Sequence, residues 1–159
     1  MVNHQTTIIV LLSALTVIVS MGVRQSFGLF LQPISDDMGF GREVFSLALA
    51  LQNLLFGLPL LGMAADRFGS RWVIFGGAIV YAGGCLLVPL TDSPQGLYLT
   101  LGLMVGLGLS STTYVVVLGT VAQVVSPERR SSAFGIVTAA GSFGTFALVP
   151  GVQWLITHE

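Results

Sequence analysis

Five long apolar stretches, each parted from the next by a short polar segment, account for nearly the whole chain. They run over about residues 7–31, 44–65, 72–90, 97–125 and 131–156. A helix needs roughly 20 apolar residues to cross the hydrocarbon layer, so the pattern predicts five transmembrane helices. The intervening segments, 32–43, 66–71, 91–96 and 126–130, carry the proline, glycine and charge of turns. Connections this short make consecutive helices antiparallel. The expected architecture is an all-α, polytopic membrane protein forming one helical bundle over residues 1–159.

Arginine placement sets the orientation, because short cytoplasmic loops are enriched in Lys and Arg. The second and fourth connections hold Arg67, Arg71, Arg129 and Arg130. The first places Arg42 beside Asp36, Asp37 and Glu43, and the third has Asp92 alone. The N-terminus is therefore expected in the cytoplasm, with His158 and Glu159 on the far side. The opening MVNHQTT has no basic residue, and the apolar stretch after it is too long for a signal-peptide core. The first span should stay in the mature protein, in what is expected to be a bacterial inner (plasma) membrane. Five is not the even helix number that closes a structural repeat, so the chain reads as part of a larger helical assembly. Its missing half, or a second copy, is the expected partner.

Composition narrows the chemistry. Hydrophobic residues make up 53% and charged residues 8%, against about 25% charged in a soluble domain. The net charge of -1 rests on 6 basic residues, all arginine, against 7 acids, which leaves no basic face for nucleic acid. Cys85 lies in an apolar run with neither a disulfide partner nor a neighbouring metal ligand. No metal-ligand cluster, phosphate-binding glycine loop or nucleophile–base pair appears, and His4 and His158 fall at opposite ends of the chain. No enzyme activity, metal or cofactor is expected.

Arg24 is the one charged residue inside the apolar stretches. A charge at membrane depth is costly and is expected to face a polar cavity. Snorkelling to the headgroups is the alternative, since Arg24 is about 10 Å from the outer end of its helix at 1.5 Å per residue. Against that, its neighbourhood Gly22-Val23-Arg24-Gln25-Ser26 is small and polar. A planar guanidinium matches a carboxylate, so Arg24 is the leading candidate for holding an organic anion. Asn53, with Gln52 beside it, falls near the middle of the second span; either amide could instead bond a neighbouring helix. On the fourth span, Gly102, Gly106 and Gly108 precede Ser110-Ser111-Thr112-Thr113-Tyr114. Most of these hydroxyls can satisfy themselves on their own helix, which leaves Tyr114, with Ser110 one turn earlier, as further substrate candidates. Pro150-Gly151 on the fifth span is compatible with a kink. All seven acids lie in connections or termini, so these spans carry no protonatable carboxylate. Anion exchange or facilitated transport therefore fits this region better than obligate proton coupling.

The segment Gly62-Met63-Ala64-Ala65-Asp66-Arg67-Phe68-Gly69-Ser70-Arg71 resembles the loop signature of the major facilitator superfamily, Asp-Arg-x-Gly-x-Arg after a glycine and three small or apolar residues. That resemblance implies a conformational latch made by Gly62, Asp66, Arg67, Gly69 and Arg71, engaging the opposite half of a twelve-helix transporter. A plainer reading makes the same residues a topology anchor with a local ion pair. The stretch from Arg129-Arg130 through Ala133, Gly135, Ala139 and Gly141-Ser142 to Gly144 resembles the start of the fifth helix in monocarboxylate-transporter-like members. Arg129 and Arg130 would anchor that loop in the cytoplasm. Departures are Glu128 where a base is frequent, Val137 and Ala140 in place of smaller residues, and no acidic-glycine-tryptophan signature before the first helix.

Together these resemblances imply most of the N-terminal six-helix bundle of a transporter that moves a small organic anion, such as a monocarboxylate, by alternating access. Two other readings remain at this point. One is a drug or sugar exporter of the same superfamily; the other is a truncated or regulatory membrane subunit with no transport of its own.

Overall fold

Residues 4–39, 41–58 and 60–158 are described by a computed structural model, with side chains for all of these but 35–38 and 60. Glu159 lies outside the described residues. Every regular element among them is helical: α1 (His4–Ser26), a 3-10 segment Phe27–Phe30, α2 (Leu31–Met38), α3 (Arg42–Gly57), α4 (Leu60–Phe68), α5 (Ser70–Leu87), a 3-10 turn Val88–Leu90, α6 (Pro94–Leu97), a π-helical stretch Tyr98–Met104, α7 (Val105–Ser111), α8 (Tyr114–Val124) and α9 (Pro127–His158). Four helical runs among the described residues are long and apolar enough to cross a bilayer. The bent pair Arg42–Gly57 and Leu61–Phe68, with 41° between its parts, passes the same test when its two helices are taken together. The protein is an all-α integral membrane protein.

Two of the five apolar stretches are not continuous helices. The second breaks at Leu58, which is extended (φ -78, ψ 134). Leu58 precedes Pro59 in the sequence, and a residue before proline is driven out of the α region. The fourth breaks at Thr112 (φ -105, ψ 11) and Thr113 (φ -72, ψ 167), with no proline nearby. There the side chains compete for the helix carbonyls. Ser111 Oγ donates to Gly108 O at 2.6 Å, and Thr112 Oγ1 donates to Gly108 O at 3.2 Å and Leu109 O at 3.3 Å. Hydroxyls bonded back onto the preceding turn bend helices. The backbone closes tightly as well, Thr112 N–H reaching Leu109 O at 3.0 Å.

The helices gather into two compact units, residues 28–112 and residues 1–27 with 113–159. In the sequence-contiguous unit, α3 and α5 both pack on the fourth stretch, and glycines set the spacing. A methyl group at Gly106 would meet Gln52 Cα at 3.1 Å, and one at Gly108 would meet Tyr81 Cα at 2.6 Å. The face that α3 buries is Phe45, Ala48 and Gln52, the i, i+3, i+7 spacing of one helix side.

The other unit joins α1 with α8 and α9. Here α1 and α9 meet backbone to backbone. A methyl group at Gly144 would fall 2.7 Å from Ile18 Cα, and one at Gly22 would fall 2.8 Å from Gly144 O. Small residues permit this approach, which is how membrane helices associate where no hydrophobic effect draws them together. On α9 the buried residues are Ala133, Val137, Gly141 and Gly144. Of the small residues noted in the sequence, Gly135 and Ala139 lie on the exposed side instead. Pro150 sits inside α9, which continues to His158.

Candidate functional site

Arg24 is half-buried near the C-terminal end of α1. The buried residues of that helix include Ser13, Val17, Ser20 and Met21. At roughly 100° per residue, Arg24 continues this side and stands opposite Leu15, which is 56% exposed. Ile8, Leu12, Leu15 and Val19 form the exposed apolar stripe of α1, and Arg24 is not on it. The hydroxyls around it are committed locally: Ser20 Oγ donates to Thr16 O at 2.7 Å and Ser26 Oγ to Gly22 O at 2.9 Å.

Tyr114 opens α8 in the same unit. Its phenol lies against Gly141 of α9, whose other neighbour is Val17 of α1. Val17 and Arg24 share a side of α1, seven residues apart, which is about 10 Å along the axis. Tyr114 therefore lies about two turns of α1 from the level of Arg24.

Asn53 and Ser110 belong to the other unit. Asn53 is exposed, and its Nδ2 donates to Leu49 O at 2.8 Å on its own helix. Gln52, the neighbouring amide, is the one packed inside. It is 1% exposed, and its Oε1 has no hydrogen-bond partner among the described residues, a costly state for a buried acceptor. Helical phase is the signal that separates the two: Gln52 follows Phe45 and Ala48, whereas Asn53 is rotated off that side. Ser110 is buried, and its hydroxyl donates to Leu58 O at 3.4 Å. This bond joins the two helix breaks, reaching from the end of α7 to the carbonyl exposed between α3 and α4.

The Asp-Arg-x-Gly-x-Arg segment spans the α4–α5 turn. Gly62 is half-buried on α4, while Asp66, Arg67, Gly69 and Arg71 are exposed. Gly69 takes φ 89, a left-handed region that disfavours a Cβ, and its N–H closes α4 on Ala65 O at 2.9 Å. Arg67 and Arg71 lie over the rings of Phe68 and Trp72, at 5.5 Å and 5.7 Å from the centroids, within cation–π range.

At the α8–α9 turn, Arg130 Nε donates to Val125 O at 3.2 Å. Glu128, fully exposed in this connection, has its carboxyl held below the usual range, first by a hydrogen bond from its own backbone amide and then by Ser126. Arg129 faces a cleft of about 910 Å³ between the start of α1, the end of α8 and the start of α9.

The family model described as Major Facilitator Superfamily matches residues 13–158. The chain belongs to the major facilitator superfamily. Within this superfamily it is similar to monocarboxylate transporter 13 of Bos taurus, 31% identical over 141 residues, which covers 86% of this chain and 32% of that protein. Monocarboxylate transporter 12-B of Danio rerio is 33% identical over 102 residues, 63% of this chain and 20% of that protein. The oxalate:formate antiporter of Oxalobacter formigenes is 28% identical over 141 residues, 87% of this chain and 33% of that protein. At its longest matches, the chain spans about a third of the length of these relatives. Its likeness to monocarboxylate transporters agrees with the resemblance seen at Arg129 to Gly144.

Proposed function

We propose that this chain is the anion-handling helical bundle of a transporter that moves a small organic anion, such as a monocarboxylate, by alternating access. The observation that carries the reading is the position of Arg24, half-buried in line with Ser13, Val17 and Ser20 of α1 and opposite the exposed apolar stripe. In this reading Arg24 holds the carboxylate through its planar guanidinium. Tyr114, Asn53 and Ser110 tune the fit, and the loop bearing Gly62, Asp66, Arg67, Gly69 and Arg71 biases one conformational state. A second helical bundle, from further sequence or from a second copy, completes the pathway around a midplane site. The relatives support an anionic substrate, since they include monocarboxylate transporters and an oxalate:formate antiporter. The cytoplasmic placement of the N-terminus, with Arg129 and Arg130 anchoring the same side, belongs to this proposal.

The test is carboxylate uptake into proteoliposomes by the product of the complete gene, with Arg24→Ala and Arg24→Lys alongside. Arg24→Ala is expected to abolish uptake at unchanged expression and unchanged thermal unfolding. Arg24→Lys, which keeps charge without the fork, is expected to raise KM. Undiminished uptake by Arg24→Ala removes Arg24 from the site. Thermal stabilisation by neutral sugars or drugs and not by carboxylates would favour an exporter of those compounds instead.

A further inference from the structure

We propose that the cleft between the start of α1, the end of α8 and the start of α9 binds one anionic phospholipid. Three features of its lining point to that occupant. The first is order along the helix axes: on α1 the hydroxyls Thr6 and Thr7 precede Val10 and Leu11 by one turn, and on α9 Arg129 and Ser132 precede Ile136 by two turns and one turn. Polar groups thus sit at the mouth and apolar groups deeper, as headgroup and acyl chain require. The second is charge: the lining residues include one arginine and no acid, the neighbouring Arg130 is held by Val125 O, and the neighbouring Glu128 is fully exposed and engaged by its own backbone amide and by Ser126. The third is size. A cleft of about 910 Å³ is at the upper end of sites for drug-sized ligands, roughly 300–1,000 Å³, and is far larger than a free phosphate or small carboxylate needs. Its apolar wall also runs on. Leu11 is 61% exposed and is followed on the same side by Leu15 and Val19, 56% and 47% exposed, a track along which an acyl chain can lie.

In this arrangement the lipid phosphate takes Arg129 as its cation, with hydroxyl donors from Thr6, Thr7 and Ser132 around it. The site is remote from Arg24, which lies about 17 residues further along α1 than Thr7, or roughly 25 Å. It therefore stands or falls separately from the transported anion.

The experiment is native mass spectrometry of the purified, delipidated chain titrated with phosphatidylglycerol and, in parallel, phosphatidylcholine. Wild-type protein is expected to retain one phosphatidylglycerol in preference to phosphatidylcholine. Arg129→Gln should weaken phosphatidylglycerol retention about fivefold, the worth of one basic contact at an anionic lipid surface. Arg129→Lys should keep most of it, which excludes misfolding as the cause, and Arg42→Gln should leave it unchanged. Equal retention by Arg129→Gln, or equal loss from Arg42→Gln, overturns the proposal. So does displacement of the lipid by millimolar inorganic phosphate, which would make the cleft a free-anion site.

Discussion

Gly135 and Gly144 are nine residues apart on α9 and have opposite duties. A methyl group at Gly144 would strike the α1 backbone at Ile18, whereas one at Gly135 would meet nothing within 4 Å. Gly144→Ala is therefore expected to cost about 1–3 kcal/mol, the range for forcing extra volume into a close-packed contact. Gly135→Ala should be neutral or stabilise by about 0.5–1 kcal/mol through helix propensity. Thermal unfolding in detergent measures both, and a Gly144→Ala protein as stable as wild type would refute the close α1–α9 contact. From sequence the two glycines look alike, because both fall in one run of small residues. What separates them is which side of α9 meets α1, and that depends on a partner more than a hundred residues away. The amide pair Gln52 and Asn53 shows the same limit: their depth in the span is legible, but which one is buried follows from the phase of α3.

At the scale of elements, apolar length marked out all five stretches, because the cost of exposing backbone polar groups to lipid leaves few alternatives to a helix. The breaks were harder. Leu58-Pro59 carried a usable signal, since proline restricts the residue before it. The Thr112–Thr113 break had none that was decisive, as Ser and Thr can bond their own helix without interrupting it. The bond from Ser110 to Leu58 O ties these two irregular points together. Ser110→Ala is expected to lower stability by about 1 kcal/mol, the net worth of one hydrogen bond. Thr120→Ala is a matched control. Its hydroxyl donates to Val116 O within its own helix at 2.9 Å, and its loss should change stability by less than about 0.5 kcal/mol. Equal effects of the two substitutions would deny the Ser110 bond any structural role.

At the scale of the whole molecule, the superfamily was legible in the Gly62 to Arg71 segment because a tight turn and clustered charge constrain residue identity there. The division of the helices into two units was not legible, since hydropathy reports depth and not partnership. Orientation is open to direct test because Cys85 is the sole cysteine. In a Cys85→Ala background, cysteines placed at Arg67 and at Ser126 should react with an impermeant maleimide only from the cytoplasmic side, and one at Asp92 only from the other. The reverse pattern would invert the topology that the arginines imply.

The glycine contact between α1 and α9 also bears on the order of synthesis. One unit is drawn from residues 28–112 alone, so its partners emerge one after another from the ribosome. The other joins α1 to α9, and α1 enters the bilayer long before Gly144 is translated. Until then the side of α1 bearing Ile18 and Gly22 has no α9 to rest against and must be shielded by lipid or by the insertion machinery. Nascent chains arrested before α9 should accordingly hold α1 in a form still open to crosslinking, and its protection should arrive late and abruptly.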